Sequence, residues 1–194
     1  MMVRLALRVH GVFILFILIN NCATNIYQKM ALENPEALVA LEDSLSRAEL
    51  SSATTRSLIM AHNTIGNSAL ESDDYGKAIM HFSNAMRLSK GDSLSRYNLL
   101  IAEGHSLYKK GKKNGIWDAI QKYNKAAQLR PEKGDAHYYI GRSYHKIGDT
   151  DFDLVIESYE KALRLSLSPE LRKEIETALS LVLKREKKLK DFWK

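Results

Sequence analysis

Ala78-Ile79-Met80-His81-Phe82-Ser83-Asn84-Ala85 decides the fold, because its skeleton returns twice further along the chain. That skeleton is a small residue, an aromatic four positions on, and an alanine three beyond it. The later copies are Ala119-x3-Tyr123-x2-Ala126 and Val155-x3-Tyr159-x2-Ala162. Gly66, Gly104 and Gly141 precede the three copies by 12, 15 and 14 residues, and the steps from glycine to glycine are 38 and 37. Spacings of four and seven keep the motif positions on one helical face. A period of this length without strand-like alternation is a helix pair that stacks on copies of itself. The glycine and the small residue let two backbones approach, the aromatic fills the gap between them, and the alanine leaves room for the next unit.

Local signals agree. Asp73-Asp74-Tyr75 and Gly148-Asp149 bring turn chemistry and capping carboxylates ahead of second helices. Pro131, five residues after Ala126, ends another second helix, since the residue before a proline disfavours the α region.

These residues resemble the tetratricopeptide repeat (TPR) family. Ala136, Ile140-Gly141, Tyr144, Val155, Tyr159 and Ala162 form the fullest match, and Asp74-Tyr75-Gly76-Lys77-Ala78-Ile79 is similar to the family's turn into a second helix. The family period is about 34 residues, so the second and third units carry longer loops, and Ala69 and Lys90 stand where a tyrosine and a proline are usual. The resemblance covers residues 52–167. It implies an all-α fold, an α-solenoid of about three helix hairpins at 52–92, 93–131 and 133–167, with an N-terminal flanking helix and a long C-terminal capping helix at 168–194.

The resemblance also implies a concave groove lined by the first helix of each hairpin. Carried over position by position, its lining is Met60, Asn63, Asn67 and Leu70, then Asn98, Ile101, His105 and Tyr108, then Asp135, Tyr138, Arg142 and His145. This polar and aromatic mixture suits an extended protein segment. Family members that clamp a terminal carboxylate use lysine, asparagine and arginine. Only Asn67 matches that clamp, while Asn63 and Asp135 stand where lysines would, which speaks against that ligand.

The first 21 residues read as an address. Arg4 and Arg8 precede an apolar run from Val12 to Ile19, and no acidic residue comes before Glu33. The run is far short of the roughly 20 residues of a membrane span. Behind it stands Cys22, the one cysteine of the chain. Ile19-Asn20-Asn21-Cys22 resembles the lipobox of bacterial lipoproteins, with asparagines where small residues are usual. That resemblance implies cleavage after residue 21 and lipidation of Cys22 by diacylglycerol and an amide-linked acyl chain such as palmitate. Residues 22–34 would then tether a single domain, 35–194, near its membrane. Ala23 after the cysteine favours the periplasmic side of the outer membrane.

The net charge is +6, with 29 basic and 23 acidic residues. Two of the basic residues lie in the address, and residues 184–194 hold six basic against two acidic, so 22–183 balance at 21 against 21. A nucleic-acid binder would spread its excess over the groove. Here it sits on one terminal tail.

Asn34-Pro35-Glu36 and Ser168-Pro169-Glu170 each open a flanking helix with a side-chain cap and a proline at the first position. The former predicts one helix over 35–49 with Leu38, Leu41, Leu45 and Ala48 on its docking face. The latter carries Leu171, Ile175, Ala178, Val182, Leu189 and Phe192 as a stripe. It reads as a solvating cap, with a resting place on anionic lipid or a docking contact as alternatives.

Candidate chemistry is sparse. Asp149, Asp151, Asp153 and Glu160 fit positions of a calcium loop, but Leu154 occupies the place of its turn glycine. No metal-ligand spacing of histidines, nucleophile elbow or phosphate-cradling glycine loop occurs. No catalytic residue, metal or cofactor is expected. The expected function is a non-enzymatic, membrane-tethered adaptor or scaffold of a bacterial cell envelope that holds a peptide or protein partner. An accessory ligand-binding subunit of a transporter and a self-associating structural lipoprotein, a homo-oligomer, are the alternatives.

Overall fold

The computed structural model describes residues 26–148 and 152–193. Residues 1–25, with the address and Cys22, lie outside the described residues, as do Asp149, Asp151 and Lys194. The fold is an all-α solenoid. Three hairpins follow one another: α4 (Ser52–Glu71) with α5 (Tyr75–Leu88), α6 (Ser93–Lys110) with α7 (Lys113–Leu129), and α8 (Asp135–Ile147) with α9 (Phe152–Leu163). Before them come α1 (26–33), α2 (Pro35–Ala40) and α3 (Glu42–Arg47), and after them α10 (Pro169–Phe192). Each helix packs on its chain neighbours from α4 to α10, and α2 packs on α4.

The repeated motif is the seam of each hairpin. A Cβ on Gly66 would come 2.5 Å from the Phe82 ring, and one on Gly141 2.5 Å from Tyr159. One on Gly104 would collide with Tyr123. Phe82, Tyr123 and Tyr159 are almost fully buried, and Ala85, Ala126 and Ala162 are wholly so. Close-packed interiors leave no slack at such contacts, so the spacing of small and aromatic residues sets how near the two backbones lie.

Caps begin the helices where polar residues stand. Asn34 accepts from the Ala37 N–H at 3.1 Å, Ser51 from Thr54 at 3.1 Å, Asp74 from Lys77 at 3.0 Å, Asp92 from Ser95 at 2.8 Å and Ser168 from Leu171 at 3.2 Å. Each satisfies an N–H that the helix leaves without a partner. At the other end, Gly111 closes α6 with φ of 70°, a left-handed conformation that costs glycine nothing.

The flanking helix expected over 35–49 is broken. It bends at Leu41, whose N–H reaches the Leu38 and Val39 carbonyls, and resumes as α3. Leu38 is buried but Leu41 is 41% exposed, so the four apolar positions do not share one face. The bend turns Glu42 inward to the fully buried His62, a polar contact that outweighs helix continuity there.

A short bridge that the motif does not announce joins the α7–α8 loop to the α9–α10 loop. The Gly134 N–H donates to Ser166 O at 2.9 Å and the Ser166 N–H to Glu132 O at 2.9 Å. Gly134 is needed there, because a Cβ would lie 2.5 Å from the Ala162 carbonyl oxygen.

Candidate binding groove

The first helices α4, α6 and α8 line the inner face, where two basins lie. The first, of about 510 Å³, lies between Asn67 and Leu70 of α4, Asn98, Ile101 and His105 of α6, and Asp135 of α8. The second, of about 350 Å³, is formed by Tyr108, Tyr138, Arg142, His145 and Lys146, with Tyr159 and Ala178 behind them.

Asn63 is one of two family-derived positions that the structure removes from this surface. It is 6% exposed and donates to Ser95 Oγ at 2.7 Å and to Ile59 O at 3.0 Å. Asn98 in turn donates to Asn63 Oδ1 at 3.2 Å and to Asn67 Oδ1 at 3.5 Å. Together they form an amide ladder that pins α4 to α6, because α6 approaches α4 closely enough to satisfy Asn63 internally. Of the three asparagines, Asn67 is the one exposed to a visitor. Met60 lies elsewhere, in a separate hollow with Gln28 and Arg56.

Cations in the groove are held over aromatic rings. Arg142 lies 5.5 Å from the Tyr108 ring centre and 5.6 Å from that of Tyr138, and Lys146 lies 4.1 Å from Tyr108. Lys146 also donates to the Tyr108 carbonyl at 2.9 Å. The Tyr138 hydroxyl donates to Glu174 of α10, and His145 lies 3.1 Å from Arg185. In the first basin Lys133 sits 5.0 Å from the Tyr97 ring centre, and the Tyr97 hydroxyl reaches Asp135 at 3.4 Å. Such contacts contribute about 0.5–1 kcal/mol each at exposed sites. Their larger effect is to hold long side chains in one position, so less freedom is lost on binding.

His105 lines the first basin. Its Nδ1 is 2.8 Å from the Tyr123 hydroxyl, and its ring meets Tyr139 edge to face at 4.4 Å and Tyr75 at 5.5 Å. Burial, helped by the nearby Arg142 charge and opposed by Asp73, lowers its pKa from 6.5 to about 4. It is therefore a neutral imidazole at neutral pH. Below 6.5 the unfolded chain takes up a proton that the folded chain refuses until about 4, so stability falls as pH drops through that window. Between about pH 7 and about pH 5 the expected loss at this residue is about 2 kcal/mol. Urea unfolding of the parent and of His105→Gln at both pH values checks it: the variant should lose about that much less.

The four-positions-per-unit pattern does not include Tyr139, Tyr97 or Lys146. Tyr139 packs against His105, Tyr123 and Tyr138, and the Tyr138-Tyr139 doublet was the signal available for it. Of the calcium-like residues, Asp153 sits in the first turn of α9 and Glu160 lies 3.9 Å from Arg164, four residues on. No group of three metal-ligating side chains comes together among the described residues.

A family model described as TPR repeat matches residues 104–148, from the second half of α6 through α8. The match supports a TPR-type interaction module. Among solved structures the chain is similar to one described as "CopN-Scc3 complex", at 21% identity, covering 69% of this chain and 74% of that one, with a TM-score of 0.44. It is also similar to one described as "MamA AMB-1", at 18% identity, covering 78% of this chain and 97% of that one, with a TM-score of 0.41. The search of curated proteins found no match.

Proposed function

We propose that this chain of TPR-like hairpins is a non-catalytic adaptor, tethered to a bacterial envelope membrane through lipidated Cys22, that holds an extended segment of a protein partner along α4, α6 and α8. The observation that carries this reading is the pair of basins along the first helices, with side chains already fixed by ring and amide contacts. Exposed Asn67 offers an amide to a peptide backbone, the half-buried Tyr108 and Tyr139 offer ring edges, and Arg142 and Lys146 offer charge. A pocket for a small apolar molecule would be enclosed and mostly apolar, whereas Glu71, Lys133 and Asp135 stand in the wall of the larger basin. The periplasmic side of the outer membrane is the proposed location, as the residue after the cysteine favours it.

A photo-crosslinking residue at position 67 or 146, expressed in the native envelope, should capture one dominant partner. Arg142→Glu with Lys146→Glu alters exposed side chains and is expected to reduce recovery of that partner by at least about tenfold, since each reversed contact removes about 1 kcal/mol or more. Unchanged recovery would refute the groove assignment. Mass spectrometry of the same preparation should find the acylated Cys22 peptide, and an unmodified cysteine would remove the tether.

A further inference from the structure

The apolar stripe of α10 outruns the helix that covers it. α9 has 12 residues and α10 has 24, so they extend about 18 Å and about 36 Å. Ile175 and Val182 are buried against α9, at 0% and 3% exposure. Leu189, one helical heptad beyond Val182, continues the line, with Phe192 and Trp193 beside it. These three are 40%, 77% and 78% exposed. Lys184, Lys187 and Lys188 are exposed on the other flank, and Lys190 pairs with Glu186 at 2.5 Å. Residues 184–194 hold six basic and two acidic side chains, while the rest of the chain beyond residue 21 is balanced.

We propose that the overhanging end of α10, residues 184–193, lies in the headgroup layer of an anionic phospholipid bilayer. Leu189, Phe192 and Trp193 enter the boundary with the acyl chains, and Lys184, Lys187 and Lys188 meet the lipid phosphates. Aromatic and aliphatic residues on one side with lysines on the other is the pattern of a helix lying on a membrane, and the local charge excess selects an anionic surface. No helix among the described residues is long and apolar enough to cross a membrane, so the contact is peripheral. Arg185, on the same end of α10, lies 3.1 Å from His145 of the second basin and faces away from the proposed contact. α10 would hold the hairpin stack against the surface at the end opposite α4.

Trp193 reports this contact directly once Trp117, the other tryptophan, is changed to Phe. Full-length protein is mixed with vesicles of equimolar phosphatidylglycerol and phosphatidylcholine, with and without brominated acyl chains. The expected result is a blue shift of Trp193 emission and quenching by the bromines, with much weaker change on phosphatidylcholine alone. Attachment elsewhere in the chain does not move this signal. Changing Lys184, Lys187 and Lys188 together to Gln, all exposed, should weaken the anionic-vesicle response by at least about tenfold. Phe192→Ala should weaken it by about tenfold. An unshifted Trp193, or an equal response on neutral vesicles, overturns the proposal. A response to poly-glutamate and none to vesicles also overturns it and assigns the surface to an acidic protein.

Discussion

Replacing Glu42 with alanine is expected to lower stability by about 3 kcal/mol, because the fully buried His62 loses its hydrogen-bond partner. Glu42 Oε2 lies 2.9 Å from Nε2 of His62, whose Nδ1 is 3.0 Å from Nδ1 of His81. Arg87 donates to the other Glu42 oxygen at 2.7 Å. His62 is fully buried, so its Nε2 has no water to turn to once the carboxylate is gone. Burial alone would raise the Glu42 pKa, but the hydrogen bonds from His62 and Arg87 outweigh it and hold the carboxyl below its usual 4.5. His81 is held below its ordinary value, first by burial and then by the neighbouring His62 and Lys77 charges. The chain Arg87–Glu42–His62–His81 thus ties α3 to the first hairpin. For a protein of this size 1 kcal/mol moves the melting temperature by about 2–4 °C, so thermal unfolding should show a drop of about 10 °C. Glu42→Gln keeps an acceptor in place and should lose clearly less. A drop of only one or two degrees in Glu42→Ala would show that the network is peripheral.

The second large effect is expected at Gly104. Valine there puts a branched side chain into the ring of Tyr123, which is 1% exposed and hydrogen-bonded to His105. Valine is a better helix former than glycine by a few tenths of a kcal/mol, but overpacking costs about 1–3 kcal/mol or more. The clash should win, because the ring is enclosed by α6, α7 and α8 and has nowhere to withdraw. A loss of about 3 kcal/mol is expected by urea unfolding. Adding Tyr123→Leu to Gly104→Val should restore part of the loss, since it empties the space the valine needs. Gly91→Ala is the control: nothing lies within 4 Å of a Cβ there, and stability should hold within about 0.5 kcal/mol. If both glycines respond alike, the seam does not work by the close approach described above.

The repeat, the seam residues and the starts of α2, α5 and α10 are legible in the sequence. A glycine at Gly104 with a tyrosine at Tyr123 encodes a contact between two helices, although the residues expected to lengthen their loop extend the helices instead and leave 111–112 between them, and Asn34, Asp74 and Ser168 encode caps within four residues of themselves. Short-range geometry is carried by the chain's own periodicity, so residue spacing suffices to read it. Asn67, His105, Tyr108, Arg142 and His145 line the basins because the inner face recurs at the same register in each unit.

What tertiary structure alone decided are the contacts between residues far apart in sequence. Asn63 lies on the expected face, yet it is spent on Ser95, 32 residues away, and leaves the binding surface. Glu42 meets His62 and Arg87 across 20 and 45 residues, and that meeting breaks a helix whose local pattern favours continuity. Gly134 finds Ser166 across a loop pair that no motif marks. The bareness of Phe192 and Trp193 follows from the lengths of two helices taken together. Periodicity says which face of a helix points inward. Which groups on that face satisfy one another, and which are left to meet a partner or a membrane, depends on where the neighbouring helices end.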